Sequence, residues 1–194
     1  INLGIWYIPF MMIFIIGTVN AVNLTDGLDG LAIMPMIICS TILGVIAYFT
    51  GHTELSSHLH LFYTVGSGEL SVFSAAVTGA GLGFLWYNCY PAQIFMGDTG
   101  SLTLGGILGV IAIILKQELM LPIMGFIFVL EALSVILQVG SFKLRGKRIF
   151  KMAPIHHHFE LMGIPESKVT MRFWIGTLIF GIIALGTIKM RGIL

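Results

Sequence analysis

The stretch Leu31-Ala-Ile-Met-Pro-Met-Ile-Ile-Cys-Ser-Thr-Ile-Leu-Gly-Val-Ile-Ala-Tyr-Phe-Thr50 contains 20 residues, none of them charged. A helix needs roughly 20 consecutive apolar residues to cross the hydrocarbon core of a bilayer. Five other runs are similarly apolar, at residues 5–22, 70–90, 102–115, 121–142 and 173–188. These runs are continuous rather than alternating, which excludes a transmembrane β-barrel. The sequence therefore predicts an all-α polytopic membrane protein with about six transmembrane helices.

The composition favours the same class. The 194 residues are 57% hydrophobic and only 10% charged, whereas an average soluble domain is roughly a quarter charged. This deficit of charge excludes a disordered chain, a nucleic-acid binder and an ordinary soluble domain. The chain begins at Ile1 and enters an apolar run almost at once. We therefore expect it to be a piece of a longer polypeptide.

The distribution of charge predicts the orientation of these helices. The loop 143–172 carries seven basic residues, so the positive-inside rule places it in the cytoplasm. Counting back across alternating spans puts residues 23–30 and 89–101 on the same side and the loop 51–69 outside. The outer loop has no Lys or Arg, which agrees with this orientation. All three aspartates of the chain and a histidine triplet fall on the cytoplasmic face, at Asp26, Asp29, Asp98 and His156–His158.

The first polar motif is Asn20-Ala-Val-Asn-Leu-Thr-Asp-Gly-Leu-Asp-Gly30, at the end of the first span. Asp26 and Asp29 are three residues apart, so a helical turn would place both on one face. The glycines allow sharp turns and close approach of a ligand to the backbone. The motif indicates a polar pocket that binds a ligand or a hydrated metal. A solvated connector with helix caps is the alternative.

The second motif, Phe95-Met-Gly-Asp-Thr-Gly-Ser101, precedes the fourth span. We expect Thr99 or Ser101 to cap that helix, which would leave free backbone N–H groups suited to phosphate. Asp98 beside them suits Mg²⁺, a hard ion that takes one or two carboxylates together with substrate phosphates. An aspartate that merely caps the helix is the alternative. The sequence contains no Walker A motif, which excludes a P-loop NTPase.

The third motif is Ala153-Pro-Ile-His-His-His158. Consecutive side chains on a helix diverge by about 100°, which argues against a shared metal site. Beside a basic stretch, the imidazoles more plausibly bind phosphate or transfer a proton, although a solvated polar loop would also explain them. Glu131 and Gln138 share one face of the fifth span, where they either line a pocket or bond between helices.

The three motifs together describe a site for a diphosphate substrate with Mg²⁺, since phosphoryl transfer requires mainly positioning and charge neutralisation. In this order and with these spans, the motifs resemble the phospho-N-acetylmuramoyl-pentapeptide transferases. These belong to the polyprenyl-phosphate N-acetylhexosamine-1-phosphate transferase superfamily. The first two motifs mark the superfamily, and the triple-histidine segment points to the muramoyl branch. The resemblance extends over essentially the whole chain.

The resemblance implies an activity. Phospho-MurNAc-pentapeptide would pass from UDP-MurNAc-pentapeptide to undecaprenyl phosphate, which gives lipid I and UMP. The enzyme would be a homodimer in the bacterial inner (cytoplasmic) membrane, with its active-site cleft facing the cytoplasm and no nucleic-acid partner. Mg²⁺ would lie on Asp98, and the catalytic residues would be Asp26, Asp98 and His156. The residues implied in substrate binding are Asn20, Asn23, Asp29, Asn88, Phe95, Gln138, His157 and His158.

The sequence departs from the family in one respect. The family carries an adjacent Asp-Asp pair and a nearby Lys in its N-terminal half, and this sequence has no Asp-Asp anywhere. Family members have about ten spans, of which these six would be the last. We therefore expect residues 1–194 to be the C-terminal part of a single transmembrane transferase domain, inactive alone. The family's fifth-span equivalent is broken or bent, and Gly140 is a possible position for the break.

Three rival functions stay open. The first is a sister transferase that uses UDP-GlcNAc or another UDP-N-acetylhexosamine, although the histidine triplet argues against it. The second is a transporter or channel, whose acidic groups should lie at the bilayer midplane rather than at span ends. The third is an intramembrane aspartic protease, because Asp98-Thr-Gly echoes an aspartyl motif. Such a carboxylate dyad gives no reason for the histidines or the basic loop.

Overall fold

The computed structural model describes residues 4–190, with side chains as far as residue 188. Within these residues the chain forms nine α-helices and no strand. The helices are α1 (Tyr7–Thr25, after a short 3-10 turn at Gly4–Trp6), α2 (Ile33–Thr50), α3 (Thr53–His58), α4 (Ser67–Asn88), α5 (Gly97–Ile114), α6 (Leu121–Met124), α7 (Phe126–Arg145), α8 (Ile155–Glu160) and α9 (Glu166–Met190).

Six of these helices are long and apolar enough to cross a membrane, namely α1 with its 3-10 turn, α2, α4, α5, α7 and α9. The predicted all-α polytopic membrane protein with six spans is confirmed. The largest shift of a boundary is at the sixth span, which was expected from residue 173 but begins at Glu166. The fourth span was expected from residue 102 and begins at Gly97. Asp98 therefore lies inside the first turn of α5 rather than in the loop before it.

Helix α2 is the centre of the bundle. In α2, 67% of the residues are buried, against 11–33% in the other five spans. Its sequence is apolar on every side, which is the pattern of a helix enclosed by others. Glycines allow its two neighbours to approach closely. A Cβ at Gly81 of α4 would lie 2.8 Å from Ile37, and one at Gly181 of α9 would lie 2.8 Å from Ile42.

Helices α1 and α5 pack against each other through another glycine. A Cβ at Gly105 would lie 2.8 Å from the Cα of Val19 and 3.0 Å from the carbonyl oxygen of Thr18. The two backbones are therefore in direct contact, as small residues permit in membrane helices. This contact brings together the end of α1 and the start of α5, which carry the first two polar motifs.

The fifth apolar run is broken, as the resemblance implies, but the position expected for the break is wrong. Gly140 lies within the continuous helix α7, and the break is at Gly125, between α6 and α7. The amide of Gly125 donates a hydrogen bond to the carbonyl of Leu121 at 2.8 Å and closes the short helix α6. A Cβ at Gly125 would lie only 3.0 Å from that carbonyl oxygen and 3.2 Å from the ring of Phe128.

A small second core lies at the end of the bundle that holds the polar motifs. It joins the turn after α1 to α7, α8 and α9, and its buried members are Leu28, Leu31, Ile127, Val169 and Phe173. Helix α8, which carries the histidine triplet, packs on this core through Ile155 and Phe159. The three polar motifs thus meet at one end of the bundle, as the charge distribution predicted.

Candidate active site

A polar cleft lies where α1, α4 and α5 meet at this end of the bundle. It has a volume of about 290 Å³ and is lined by Asn23, Asp26, Gly27, Leu28, Asp29, Asn88, Phe95, Met96, Gly97 and Asp98. The first two sequence motifs, 75 residues apart at Asn23 and Asp98, therefore form one concave surface. Asp26 and Asp29 both line this cleft, but the helical turn expected to carry them is wrong, because residues 26–32 form a non-helical turn.

A hydrogen-bond network orients Asp98 in the first turn of α5. The side-chain amide of Asn23 donates to Asp98 Oδ1 at 3.1 Å and to Ser101 Oγ at 2.9 Å. The Ser101 hydroxyl in turn donates to the carbonyl of Gly97 at 3.1 Å. The expectation that Thr99 or Ser101 caps the helix is wrong, because α5 begins before both and no side chain caps it. A carboxylate in this first turn is stabilised by the positive end of the helix dipole.

Asp26 faces Asp98 across the cleft. The half-buried position of Asp26 raises the pKa of its carboxyl group, and the negative charge of Asp98 raises that pKa further. Two carboxylates that repel each other are a favourable setting for a divalent cation. Within residues 4–190, no three His, Cys, Asp or Glu side chains converge as a metal site.

Asp29 fixes the floor of the cleft rather than pointing freely into it. Its carboxylate accepts a hydrogen bond from the amide of Ala92 at 2.8 Å. Its own amide donates to Glu166 Oε1 at 2.9 Å. The next amide, of Gly30, donates to Asn88 Oδ1 at 3.1 Å. Asp29 and Asn88 therefore join the turn after α1 to the segment before α5.

Helix α9 holds the same turn from the other side. Besides Glu166, the indole N–H of Trp174 donates to the carbonyl of Gly30 at 3.0 Å. Neither contact could be predicted from the sequence, because both residues lie more than 130 residues from the turn they hold. A glutamate at the start of a helix and a tryptophan near a membrane interface are ordinary features that give no signal of such contacts.

The three histidines point in different directions, as expected. His156 is buried, with its Nδ1 3.1 Å from Glu131 Oε2 and its other nitrogen against Gly27. His157 Nδ1 lies 2.6 Å from Glu160 Oε2. His158 Nδ1 accepts a hydrogen bond from the amide of Lys151 at 3.1 Å. The triplet is therefore not a shared metal site, and His156 is the member nearest the cleft.

Four of the predicted substrate-binding residues are not among those that line this cleft, namely Asn20, Gln138, His157 and His158. The amide of Asn20 donates to the carbonyl of Ile16, on its own helix, at 2.7 Å. The side chain of Gln138 accepts from the amides of Ile149 and Phe150, at 2.9 and 3.0 Å, and donates to the carbonyl of Phe150. Gln138 thus joins α7 to the basic loop. Phe95, by contrast, lines the cleft with 76% of its surface exposed.

The sequence that forms this cleft matches a known protein family. The model of a family described as glycosyl transferase family 4 matches residues 1–116, which include both motifs of the cleft. The chain belongs to this family.

Relatives extend the similarity through the histidine triplet to the end of the chain. A protein of Fusobacterium nucleatum subsp. nucleatum, named phospho-N-acetylmuramoyl-pentapeptide-transferase, is 91% identical over 192 residues. Proteins of the same name from Pelobacter propionicus and Solidesulfovibrio magneticus are 60% and 57% identical over 190 and 191 residues. These alignments cover 98–99% of this chain and 53% of each relative. The chain therefore spans about half the length of the curated relatives it matches.

Proposed function

We propose that this chain is the C-terminal part of a Mg²⁺-dependent phospho-N-acetylmuramoyl-pentapeptide transferase. The reaction would transfer phospho-MurNAc-pentapeptide from its UDP carrier to undecaprenyl phosphate, with lipid I and UMP as products. The observation that carries the proposal is the pair of facing carboxylates, Asp26 and Asp98, in a polar cleft at the end of a membrane bundle. The relatives that bear this enzyme name support the choice of substrates.

The position of the cleft suits one water-soluble and one lipid substrate. The cleft lies beyond the ends of α1 and α4, so a nucleotide can enter from water while a lipid phosphate approaches from the membrane. The bond that breaks joins UMP to the phosphate of the sugar, and the lipid phosphate ends bonded to that sugar phosphate. Both substrates are anionic, so the main task of the site is to position them and to offset their charge.

The residues of the chain divide this task. Asp98 would hold Mg²⁺, and Asn23 keeps the Asp98 carboxylate in place through its 3.1 Å hydrogen bond. When bound, Mg²⁺ supplies positive charge to the diphosphate and to the departing UMP. Asp26, opposite Asp98, would complete the cation site. The exposed ring of Phe95 offers a flat apolar surface on which a uracil base can stack.

The basic loop supports a cytoplasmic orientation for the cleft. The segment from Lys143 to Lys151 is exposed except at Phe150, and it leaves α7 at the same end of the bundle as the histidine triplet. Basic segments next to membrane helices remain in the cytoplasm. The cytoplasmic membrane of a bacterium, with the site facing inward, is the location that the proposed soluble nucleotide donor requires.

The test is UMP release by the full-length parent protein in nanodiscs. UDP-MurNAc-pentapeptide and undecaprenyl phosphate are supplied with and without Mg²⁺, for the wild type, Asp98→Asn and Glu118→Gln. Glu118 lies at the opposite end of the bundle, against Tyr7, so it is a matched acid-to-amide control. We expect Mg²⁺-dependent release that Asp98→Asn abolishes and Glu118→Gln retains. UDP-GlcNAc is supplied as an alternative donor in a parallel reaction. UMP release only with UDP-GlcNAc, or no release with either donor, would overturn the proposal.

A further inference from the structure

A buried acid lies beside the cleft without forming part of its wall. Glu131 of α7 has 0% of its surface exposed, and His156 has 1%. Glu131 Oε2 lies 3.1 Å from His156 Nδ1. An isolated buried carboxylate costs several kcal/mol, so a fold retains one only where a partner offsets its charge. In the described part of the chain, His156 is the basic side chain within 4 Å of this carboxylate.

The pair is rigidly held but its hydrogen bonding is incomplete. The ring of His157 packs against that of His156, with centroids 4.1 Å apart. Helix α8 is anchored on both sides of the triplet in the small core. Yet both oxygens of Glu131 and both nitrogens of His156 lack a hydrogen bond of regular geometry to any described residue. Buried groups in this condition are rare and call for a specific explanation, such as a functional role.

The second nitrogen of His156 faces the cleft through a glycine. A Cβ at Gly27 would lie 2.3 Å from His156 Nε2 and 2.7 Å from Cε1. Gly27 is exposed in the cleft, between Asp26 and Leu28. The imidazole therefore lies directly behind the part of the cleft floor that has no side chain. Because Nδ1 is turned toward Glu131, Nε2 is the nitrogen on the cleft side.

We infer that Glu131 is a positioning residue that acts through His156. Its carboxylate keeps a proton on Nδ1 and fixes the ring, so that Nε2 is presented beside Gly27 to the phosphate groups of the substrate. Carboxylates that orient a histidine in this way determine which nitrogen is available to the ligand. The inference rests on the proposed function, since that function supplies the phosphate groups.

A double-mutant cycle in the full-length parent protein tests this role. We expect Glu131→Gln to lower kcat for UMP release by about 10- to 100-fold, as loss of an orienting partner does, with KM changed less than 2-fold. Because Glu131 acts through His156, adding Glu131→Gln to His156→Ala should cost no further activity. Ser134→Ala is the matched control, because the Ser134 hydroxyl donates a hydrogen bond to the backbone carbonyl of Glu131 rather than to its carboxylate. A silent Glu131→Gln, or a further tenfold loss in the double variant, would overturn the inference.

A second measurement does not depend on activity. Diethyl pyrocarbonate modifies accessible imidazoles, and peptide mapping assigns each modified histidine. We expect His156 to be protected in the wild type and to react at least fivefold faster in Glu131→Ala, while His52, at the other end of the bundle, reacts equally in both. An unchanged rate at His156 would overturn the inference. If the wild type fails to release UMP, the proposed function fails, and this labelling still decides whether Glu131 holds His156.

Discussion

Replacing Gly27 by alanine adds one methyl group at the most crowded point of the site. The new Cβ would lie 2.3 Å from Nε2 of His156, whereas ordinary contacts between such atoms are about 3.5 Å. The ring must therefore move by about 1 Å. It is fully buried and packed against His157, so it has little room to do so. The backbone at Gly27 accepts alanine without strain, because its φ is outside the left-handed region.

The expected cost is about 1–3 kcal/mol in the free energy of unfolding, the usual range for one extra methyl group in a packed interior. The effect on catalysis should be larger, because a shift of 1 Å in a positioned group lowers a rate by up to about 100-fold. We would measure the thermal unfolding midpoint and the rate of UMP release for the full-length parent protein. Both should fall in Gly27→Ala.

Gly83→Ala is the control, because a Cβ at Gly83 on α4 meets nothing within 4 Å in the described structure. It should leave both measurements unchanged. In a His156→Ala background the clash is absent, so adding Gly27→Ala should lower the unfolding midpoint no further than His156→Ala does alone. If Gly27→Ala behaves like Gly83→Ala, the ring of His156 does not lie where we describe it, and the reasoning is refuted.

Three further predictions concern stability. Burial and the charge of Asp98 raise the pKa of Asp26 above its usual 3.8. Over the pH range between the unfolded and the folded pKa, the folded protein therefore binds more protons than the unfolded chain, and its stability falls as pH rises through that range. Thermal melts in EDTA should show this fall, and Asp26→Asn should abolish it and raise the midpoint at neutral pH; an unchanged midpoint would contradict the repulsion. Trp174→Phe removes the indole hydrogen bond to the turn after α1 and should cost about 1 kcal/mol in the same assay, so a variant that melts like the wild type would argue against that bond. Gly105→Ala should separate α1 from α5, lower the thermal midpoint and weaken Mg²⁺ activation of the parent enzyme. Gly109→Ala is the control and should be tolerated, because its new Cβ would lie 3.5 Å from α1. Equal behaviour of the two variants would contradict close packing at Gly105.

The spans could be predicted because each is encoded locally. An apolar run of sufficient length forms a membrane helix whatever its neighbours are. The break in the fifth span was misplaced because both Gly125 and Gly140 permit one. What distinguishes them is packing, since a Cβ at Gly125 would lie 3.2 Å from the ring of Phe128, whereas a Cβ at Gly140 would meet nothing within 4 Å in the described structure. That difference depends on the fold and is absent from the local sequence.

The site was predictable to the extent that topology alone assembles it. Alternating spans place Asp26, Asp29 and Asp98 at one end of the bundle. Helix capping was the main structural alternative to a functional role for these residues. The contacts that hold the site were not predictable in the same way. Glu131 was expected either to line a pocket or to bond between helices, and only the docking of α8 brings His156 against it. The contact of Glu166 with Asp29 could not be predicted, because no feature of the sequence near Glu166 indicates a partner 137 residues away.

The hydrogen bond between the amide of Asp29 and Glu166 has a consequence for the synthesis of the protein. The amide of Asp29 is held by Glu166, which the ribosome adds 137 residues later. At a translation rate of roughly 5–20 residues per second, Glu166 is added about 7–27 s after Asp29. During that interval the nascent chain contains Asp26, Asp29 and Asp98 but lacks Glu166, which holds the amide of Asp29. A chain released before α9 is inserted therefore reaches the membrane without a formed site, and translational arrest upstream of Glu166 should yield only inactive protein.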